Sequence, residues 1–341
     1  MKSGIPGVIC KIDFEKTFDN VSWEFVDEVM QKMRVGELWR KWIHGCINNT
    51  PFFVLINGSY HTKFITGKGL TQGDTLSPFL FMIVSEALNL MLQLGHEQEH
   101  IGGFAMNQNG FTVSYLQYAD DTLVFLDESP DQMNYLRYYL IGFEMVSGLK
   151  INFAKCGLFG VAGARNIDSM TAMLGCKTEI LPSSYLCIPL GDSSSSIKWE
   201  ALIEKCKSRL CSWKRSSLSK AGKLNLTKSV VSSILIYMLS LFIAPPKVIK
   251  VLEKVIRDFL WDPSETKKGY HYVSWKKCRT PLKSGGLGIK SLKNMNRALI
   301  SKWWWRFNKE KTALWRKAMT SKYNTIHFER ETEKPKPPNK Y

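Results

Sequence analysis

The chain has 341 residues, 47 of them Lys or Arg and 30 Asp or Glu, for a formal net charge of +17. Hydrophobic residues make up 44% and charged residues 23%, proportions that exclude wholesale disorder, collagen-like repeats and a multi-span membrane protein. At about 100–200 residues per domain, the length predicts two or three units, each able to close its own interior.

The N-terminal stretch offers one Lys and an apolar run broken by Gly4, Pro6 and Gly7, too weak for a secretory signal. Residues 8–14 read as a short buried strand, with Asp13 where the apolar run stops. Ser22 is placed to cap a helix in which Phe25, Val26, Val29, Met30 and Met33 recur at helical spacing, and Leu38, Trp42, Ile43 and Cys46 repeat that spacing. Residues 52–56 and 60–65 flank Asn57-Gly58, which favours the positive φ angles of a two-residue hairpin turn. A glycine-containing loop over 67–78 follows, with Ser77 expected as N-cap and Pro78 as first helical residue. The next helix runs to about Leu94. Glu86 and Asn89 interrupt its apolar run, so it reads as a buried helix rather than a membrane span.

Residues 111–118 and 122–126 are β-prone and put Ala119-Asp120-Asp121 at a hairpin tip. Residues 132–145 read as a helix ended by Ser147-Gly148, and 149–153 and 185–190 as short strands. From Trp199 the pattern turns helical, with Trp199, Leu202, Ile203, Cys206, Leu210 and Trp213 on a core stripe. Residues 229–246 carry no charge, but four serines, flanking lysines and a closing Pro245-Pro246 favour a buried helix over a span. Residues 329–341 are charged and Pro-rich, the composition of a disordered tail. The eight cysteines contain no C-x-x-C pair and read as reduced, buried small hydrophobes, with no metal assigned to them.

Division after Gly191 separates 14 basic and 19 acidic residues, net −5, from 33 and 11, net +22. One reading is carboxylate chemistry in front and polyanion binding behind; the other is a surface of solvated lysines. Trp199, Trp213, Trp261, Trp275, Trp303, Trp304 and Trp305 interleave with the basic residues, which suits base stacking beside cations as well as helix-core packing.

Asp13 ends one predicted strand, and Asp120-Asp121 sit between two others. If those strands are neighbours, two or three carboxylates converge, and their repulsion makes sense only with bound cations. Two Mg²⁺ ions about 3.5–4 Å apart are the common use of such a cluster in phosphoryl transfer. Asp is also an ordinary turn residue, and spacing alone does not choose between these uses.

Lys11-Ile-Asp-Phe-Glu-Lys-Thr-Phe-Asp19, Gly69-Leu-Thr-Gln-Gly-Asp-Thr-Leu-Ser-Pro78, Tyr118-Ala-Asp-Asp121, Ser147-Gly-Leu-Lys-Ile-Asn152 and Tyr185-Leu-Cys-Ile-Pro-Leu-Gly191 resemble, in order, the palm motifs of reverse transcriptases. Leu218-Ser-Lys-Ala-Gly-Lys-Leu224, Phe259-Leu-Trp261, Gly285-Gly-Leu-Gly288 and Asn296-Arg-Ala-Leu299 extend the likeness to plant-type non-LTR (LINE-type) retrotransposon polyproteins, over residues 4–320. The resemblance implies an α+β chain. A right-hand polymerase palm, an antiparallel sheet with packed helices, would occupy 1–191. A helical thumb would follow over 192–260, a basic, Trp-rich C-terminal helical extension over 261–328, and the tail over 329–341.

It further implies an RNA-directed DNA polymerase in which Asp13 and Asp120 bind two Mg²⁺ ions and Asp121 supports the site. Phe18 matches the aromatic that crowds a ribose 2′-hydroxyl, and Gln72 the contact to the incoming nucleotide, with Gly73 beside it letting backbone approach. Asp74 would cap or orient that loop. Lys155 or Lys150 would protonate pyrophosphate. Tyr185, Leu186, Pro189, Leu190 and Gly191 match the primer grip, within which Cys187 stands for a small residue at no evident chemical cost. Asp19, Trp23 and Tyr118 recur in the motifs but have structural uses. The partners implied are an RNA template, a DNA primer, a dNTP and an element-encoded RNA-binding protein, with no membrane. The compartment is left open, nucleus or cytoplasmic ribonucleoprotein by analogy.

The chain begins 12 residues before Asp13, so the fingers and endonuclease that the family carries upstream, and its Cys/His-rich C-terminal segment, are expected to be missing. The competing reading is a catalytically inactive retroelement remnant that keeps at most nucleic-acid binding. A splicing-associated maturase shares the Asp-Asp turn but fits the downstream motifs poorly.

Overall fold

Residues 8–12 are apolar at almost every position because the strand they form is covered on both faces. In the computed structural model, which describes residues 6–48, 50–105, 111–191, 195–210, 217–261 and 270–323, strand Gly7–Ile12 lies at the centre of a five-stranded sheet. The strand order is Lys177–Glu179, Gly157–Val161, Gly7–Ile12, Asp121–Asp127, Tyr115–Tyr118. All pairings are antiparallel except that of Gly157–Val161 with Lys177–Glu179. Side chains alternate between the faces of a strand, and the core follows that alternation. Val8, Cys10, Ile12, Val124 and Leu126 face a large cluster with the helices, whereas Ile9, Leu123, Phe125 and Phe159 face a smaller one.

Three helices cover the first face: Trp23–Lys32, Ser77–Glu97 and Pro130–Ser147. Ser22 caps the first by accepting from the Phe25 amide, and Gly148, at φ +74°, ends the third in the left-handed conformation that glycine permits. The chain divides into two units, Met1–Gly191 with Ala318–Tyr341, and Asp192–Lys317.

Several elements differ from the sequence-based expectation. The N-cap of helix Ser77–Glu97 is Leu76, Asp74 Oδ1 accepts from the Ser77 amide at 2.7 Å, and Ser77 is the first helical residue and is buried. The expected strand 149–153 is only Lys150–Ile151; a turn follows, and strand Gly157–Val161 next to the sheet centre was hidden by its two glycines. Helix Ile167–Leu174 and strand Lys177–Glu179 also went unread. Residues 185–190 are not one strand but part of a hairpin, Ser183–Tyr185 against Ile188–Leu190, reversed at Leu186 and Cys187, which both take positive φ. Cys187 therefore does carry a cost, because a residue with a Cβ is strained in that conformation.

The stripe Leu38, Trp42 and Cys46 on helix Glu37–Ile47 is exposed, and only Ile43 of that set is buried. Hairpin Pro51–Ile56/Ser59–Ile65 forms as expected, with Asn57 at φ +49° and Gly58 at +81°, and both its faces are largely exposed. Cys10, Cys156, Cys206 and Cys278 are buried, whereas Cys46 and Cys187 are exposed, against the expectation of eight buried thiols; Cys211 lies outside the described residues.

The second unit is helical. Helix Ser195–Arg209 buries Trp199, Leu202 and Cys206, with Leu210 just beyond its end, as the stripe predicts; Trp213 lies outside the described residues. The uncharged run does not define a helix by itself. The helix is Lys220–Leu241, capped by Ser219 and containing one π-helical turn, Thr227–Val231; the backbone becomes extended at Phe242, and Pro246 opens the next helix, Pro246–Trp261. Its core includes Leu252, Ile256 and Phe259 together with Cys278, Ile289 and Leu292, from both sides of position 260. Ser77–Glu97 and Lys220–Leu241 are long and apolar enough to cross a membrane by length and composition. Each lays one face into the core of its own unit, through Leu80, Val84, Leu88 and Leu92 in the first and Val231, Leu235, Met238 and Leu239 in the second. The predicted tail, 329–341, lies outside the described residues.

Candidate active site

The acidic residues meet because of register. Gly7–Ile12 and Asp121–Asp127 pair with Ile9 opposite Phe125, Lys11 opposite Leu123 and Ile12 opposite Thr122. The ladder ends there: Asp13 follows Ile12 and Asp121 precedes Thr122, so the two aspartates stand at the same end of the strand pair, and the Asp13 charge reaches the Asp121 carboxyl. The pairing of Tyr118 with Asp121 leaves Ala119 and Asp120 as a two-residue turn. Ala119 takes φ +54°, a position where glycine is ordinarily favoured, and the strain is stored beside the acidic pair.

The backbone at Asp13 is held from two sides. Its carbonyl accepts from the Asn152 amide at 2.8 Å, and its amide donates to the Cys156 sulfur at 3.4 Å. The Thr17 hydroxyl donates to Asp120 Oδ2 at 3.2 Å. Burial raises the Asp121 carboxyl above its ordinary pKa; the Asp120 charge adds to the rise, Lys11 opposes it and Asp13 contributes last. Among the described residues no three His, Cys, Asp or Glu side chains close into a ready-made metal-binding group. The three aspartates are electrostatic neighbours in an open arrangement.

The loop that carries Gln72 and Gly73 is stapled to the segment that carries Phe18. Leu70 donates its amide to the Phe18 carbonyl at 2.7 Å, Gly69 to the Val21 carbonyl at 2.8 Å, and the Trp23 indole donates to the Gly69 carbonyl at 2.6 Å. Trp23 is thus structural. Phe18 is half-buried and stacked on Phe81 at 5.2 Å between ring centroids, while Gln72 and Gly73 are exposed. Gly73 has φ +96°. Tyr118 is exposed rather than packed.

The hairpin with Tyr185, Leu186, Pro189 and Leu190 abuts the acidic turn, its Tyr185 hydroxyl donating to the Asp121 carbonyl at 3.1 Å. Lys11 Nζ donates to the Ser184 carbonyl at 3.3 Å, a contact that the motifs do not advertise. Gly191, at φ +79°, closes against Leu181. Lys150 pairs in register with Glu15, and Lys155 lies in the turn whose neighbours Asn152 and Cys156 bond the Asp13 backbone; both lysines are exposed.

A strand-hairpin pair that brings three aspartates to one sheet end, beside a glycine loop, defines a class. The profile of the family described as reverse transcriptase (RNA-dependent DNA polymerase) matches residues 6–190, more than half of the chain, and the chain belongs to that family. Within that family, the chain is similar to proteins named for a transposon and for retrotransposable elements. An Arabidopsis thaliana protein named for ribonuclease H is 42% identical over 123 residues, 36% of this chain and 20% of that one. The 149 kDa protein of transposon TX1 from Xenopus laevis is 24% identical over 294 residues, 84% of this chain and 21% of that one. The Pol polyprotein from the type-1 retrotransposable element R2 of Popillia japonica is 26% identical over 160 residues, 47% and 22%. The chain spans about a fifth of the length of these curated relatives. Among solved structures, a telomerase from Candida tropicalis in complex with the TWJ fragment of telomeric RNA aligns with 97% of this chain and 49% of its own, at 13% identity and a TM-score of 0.43.

Proposed function

We propose that the chain carries the palm and thumb of an RNA-directed DNA polymerase, with Asp13, Asp120 and Asp121 as the carboxylates of a two-Mg²⁺ site. The register that runs from Ile9 opposite Phe125 to Ile12 opposite Thr122 supports the reading, because Asp13 follows one strand and Asp121 begins the other at the same end of the ladder. Carboxylate oxygens are the hard donors that Mg²⁺ prefers, and Mg²⁺ is commonly held by one or two carboxylates together with substrate phosphates. An open group of aspartates fits that ion without a closed cage. When bound, the ions supply an activated primer 3′-hydroxyl and neutralise charge on the triphosphate and departing pyrophosphate.

The chain's own residues orient and select. Thr17 holds one carboxylate oxygen of Asp120 and Tyr185 the main chain of Asp121, so the acidic turn is fixed from both sides. Phe18, packed on Phe81, would crowd a ribose 2′-hydroxyl, and Gln72 with Gly73 would meet the incoming dNTP. Lys155, or Lys150 in its place, would donate a proton to pyrophosphate. The primer end would lie along Tyr185, Leu186, Pro189, Leu190 and Gly191. Phosphates of the RNA template and DNA primer would meet the basic second unit in sequence-independent, salt-sensitive contacts.

Primer extension on an RNA template with Mg²⁺ and dNTPs tests the reading. The wild-type chain is expected to extend the primer and Asp120→Ala not, with both shifting a labelled template–primer at low salt. Equal product from the two, or no product from either while the shift persists, removes the polymerase reading and leaves nucleic-acid binding alone.

A further inference from the structure

Helix Leu292–Lys309 is pinned along one side and exposed along the other. On the pinned side, buried Asn296 accepts from the Ala244 amide at 3.0 Å and donates to the Leu239 and Phe242 carbonyls at 2.7 and 2.8 Å. About two turns further, Trp303 donates its indole N–H to the Ser240 carbonyl at 2.6 Å and meets Trp315 edge to face. The packing use of tryptophan in this helix is met by the half-buried Trp303.

On the other side Asn294, Ala298, Lys302, Trp305 and Lys309 are all exposed. At 3.6 residues per turn they fall within about 80° of arc, with Arg297 beside them. From Lys290 to Lys309 the sequence has six Lys or Arg and no Asp or Glu. The next acid, Glu310, is taken by Arg306 at 2.7 and 3.0 Å and by the Trp315 indole at 2.9 Å. Trp305 is 59% exposed, and the Lys309 ammonium sits 4.7 Å from its ring centroid. A large indole held in water among cations, with the nearest acid along the helix already paired, has the two complements of an unpaired nucleotide: a π-face for the base and positive charge for the phosphates.

We propose that this face is a single-strand platform, with Trp305 stacking one unpaired base and Lys302, Lys309 and Arg297 meeting the flanking phosphates. It lies outside the family-matched segment 6–190. The proposal rests on the reading that the basic unit binds nucleic acid and is independent of polymerase chemistry. Except at its two ends, a duplex has no free base face to offer the indole, so strand state discriminates.

The test uses the full chain carrying Asp120→Asn in every arm, so that extension plays no part. Fluorescence anisotropy reads binding to labelled single-stranded oligouridine and to a blunt duplex across a salt series. Trp305→Ala and Trp305→Leu are expected to weaken single-strand binding roughly 5- to 100-fold with duplex affinity within about twofold, and Trp305→Phe to keep most of it. The double variant K302Q/K309Q should lower the single-strand salt slope by about 1.4. The proposal fails if Trp305→Ala leaves single-strand affinity unchanged, weakens both nucleic acids alike, or is matched by Trp305→Phe. Absence of primer extension by the wild-type chain, with these differences intact, would remove the polymerase reading alone.

Discussion

The Tyr185 hydroxyl donates a 3.1 Å hydrogen bond to the main-chain carbonyl of Asp121, and through it the hairpin Ser183–Leu190 is tied to the acidic turn. The ring also packs against the cluster of Ile9, Leu123 and Phe125. Tyr185→Phe keeps the packing and deletes the bond. It should cost about 1 kcal/mol in urea unfolding, with amide exchange rising in the 183–190 hairpin while the central strand stays protected. A hairpin no less protected in the variant would show that the bond does not hold it.

Thr122, next to the acidic residue, is fully buried, and its hydroxyl has no hydrogen-bond partner among the described residues. Valine has the same shape as threonine and lacks the hydroxyl. Thr122→Val removes a desolvated hydroxyl without opening a cavity and should stabilise the chain by about 1 kcal/mol. A lowered urea midpoint would overturn this.

Gly69 takes φ +91°, and a Cβ there would stand 2.7 Å from the Asp19 carbonyl oxygen. Gly69→Ala should therefore break the staple between the Gln72 loop and the Phe18 segment, at a cost of about 1–3 kcal/mol. Limited proteolysis within residues 67–76 should accelerate, and an unchanged rate would count against the close approach.

Burial in the second unit pushes the Cys206 thiol from 9.0 up to about 11, with Lys205 opposing. A raised thiol pKa means that the folded state prefers the neutral form. Its contribution to stability is complete below pH 9 and is lost as pH rises through 11. Alkaline titration should thus destabilise this unit in that window, and Cys206→Ala should flatten the loss. At pH 8, iodoacetamide should modify the exposed Cys46 and Cys187 well before Cys206. Labelling in the opposite order would refute the burial.

Much of the site was legible because its parts are local. Asp13 at the end of an apolar run, Asn57-Gly58 between β-prone runs, and Ser22 before a helical stripe each follow from backbone preferences of a few residues. Strand Gly157–Val161 was not legible, since its glycines lower β-propensity and its place is secured by pairing with Gly7–Ile12 and Lys177–Glu179. The stripe Leu38, Trp42 and Cys46 misled for the converse reason: periodicity marks an apolar face but not whether another element covers it.

The sequence by itself determined the residue types, their order and the charge reversal after Gly191, where net −5 becomes net +22, because these are properties of composition and local pattern. Tertiary structure alone decided that Asp13 and Asp121 stand at the same end of one strand pair, that Lys11 and Tyr185 reach the neighbouring hairpin and turn, and that Trp303 is half-buried and hydrogen-bonded while Trp305 is surface. Those outcomes depend on strand register and helix rotation. A slip of one residue in a ladder, or of 100° around a helix, exchanges inside for outside without changing any local preference.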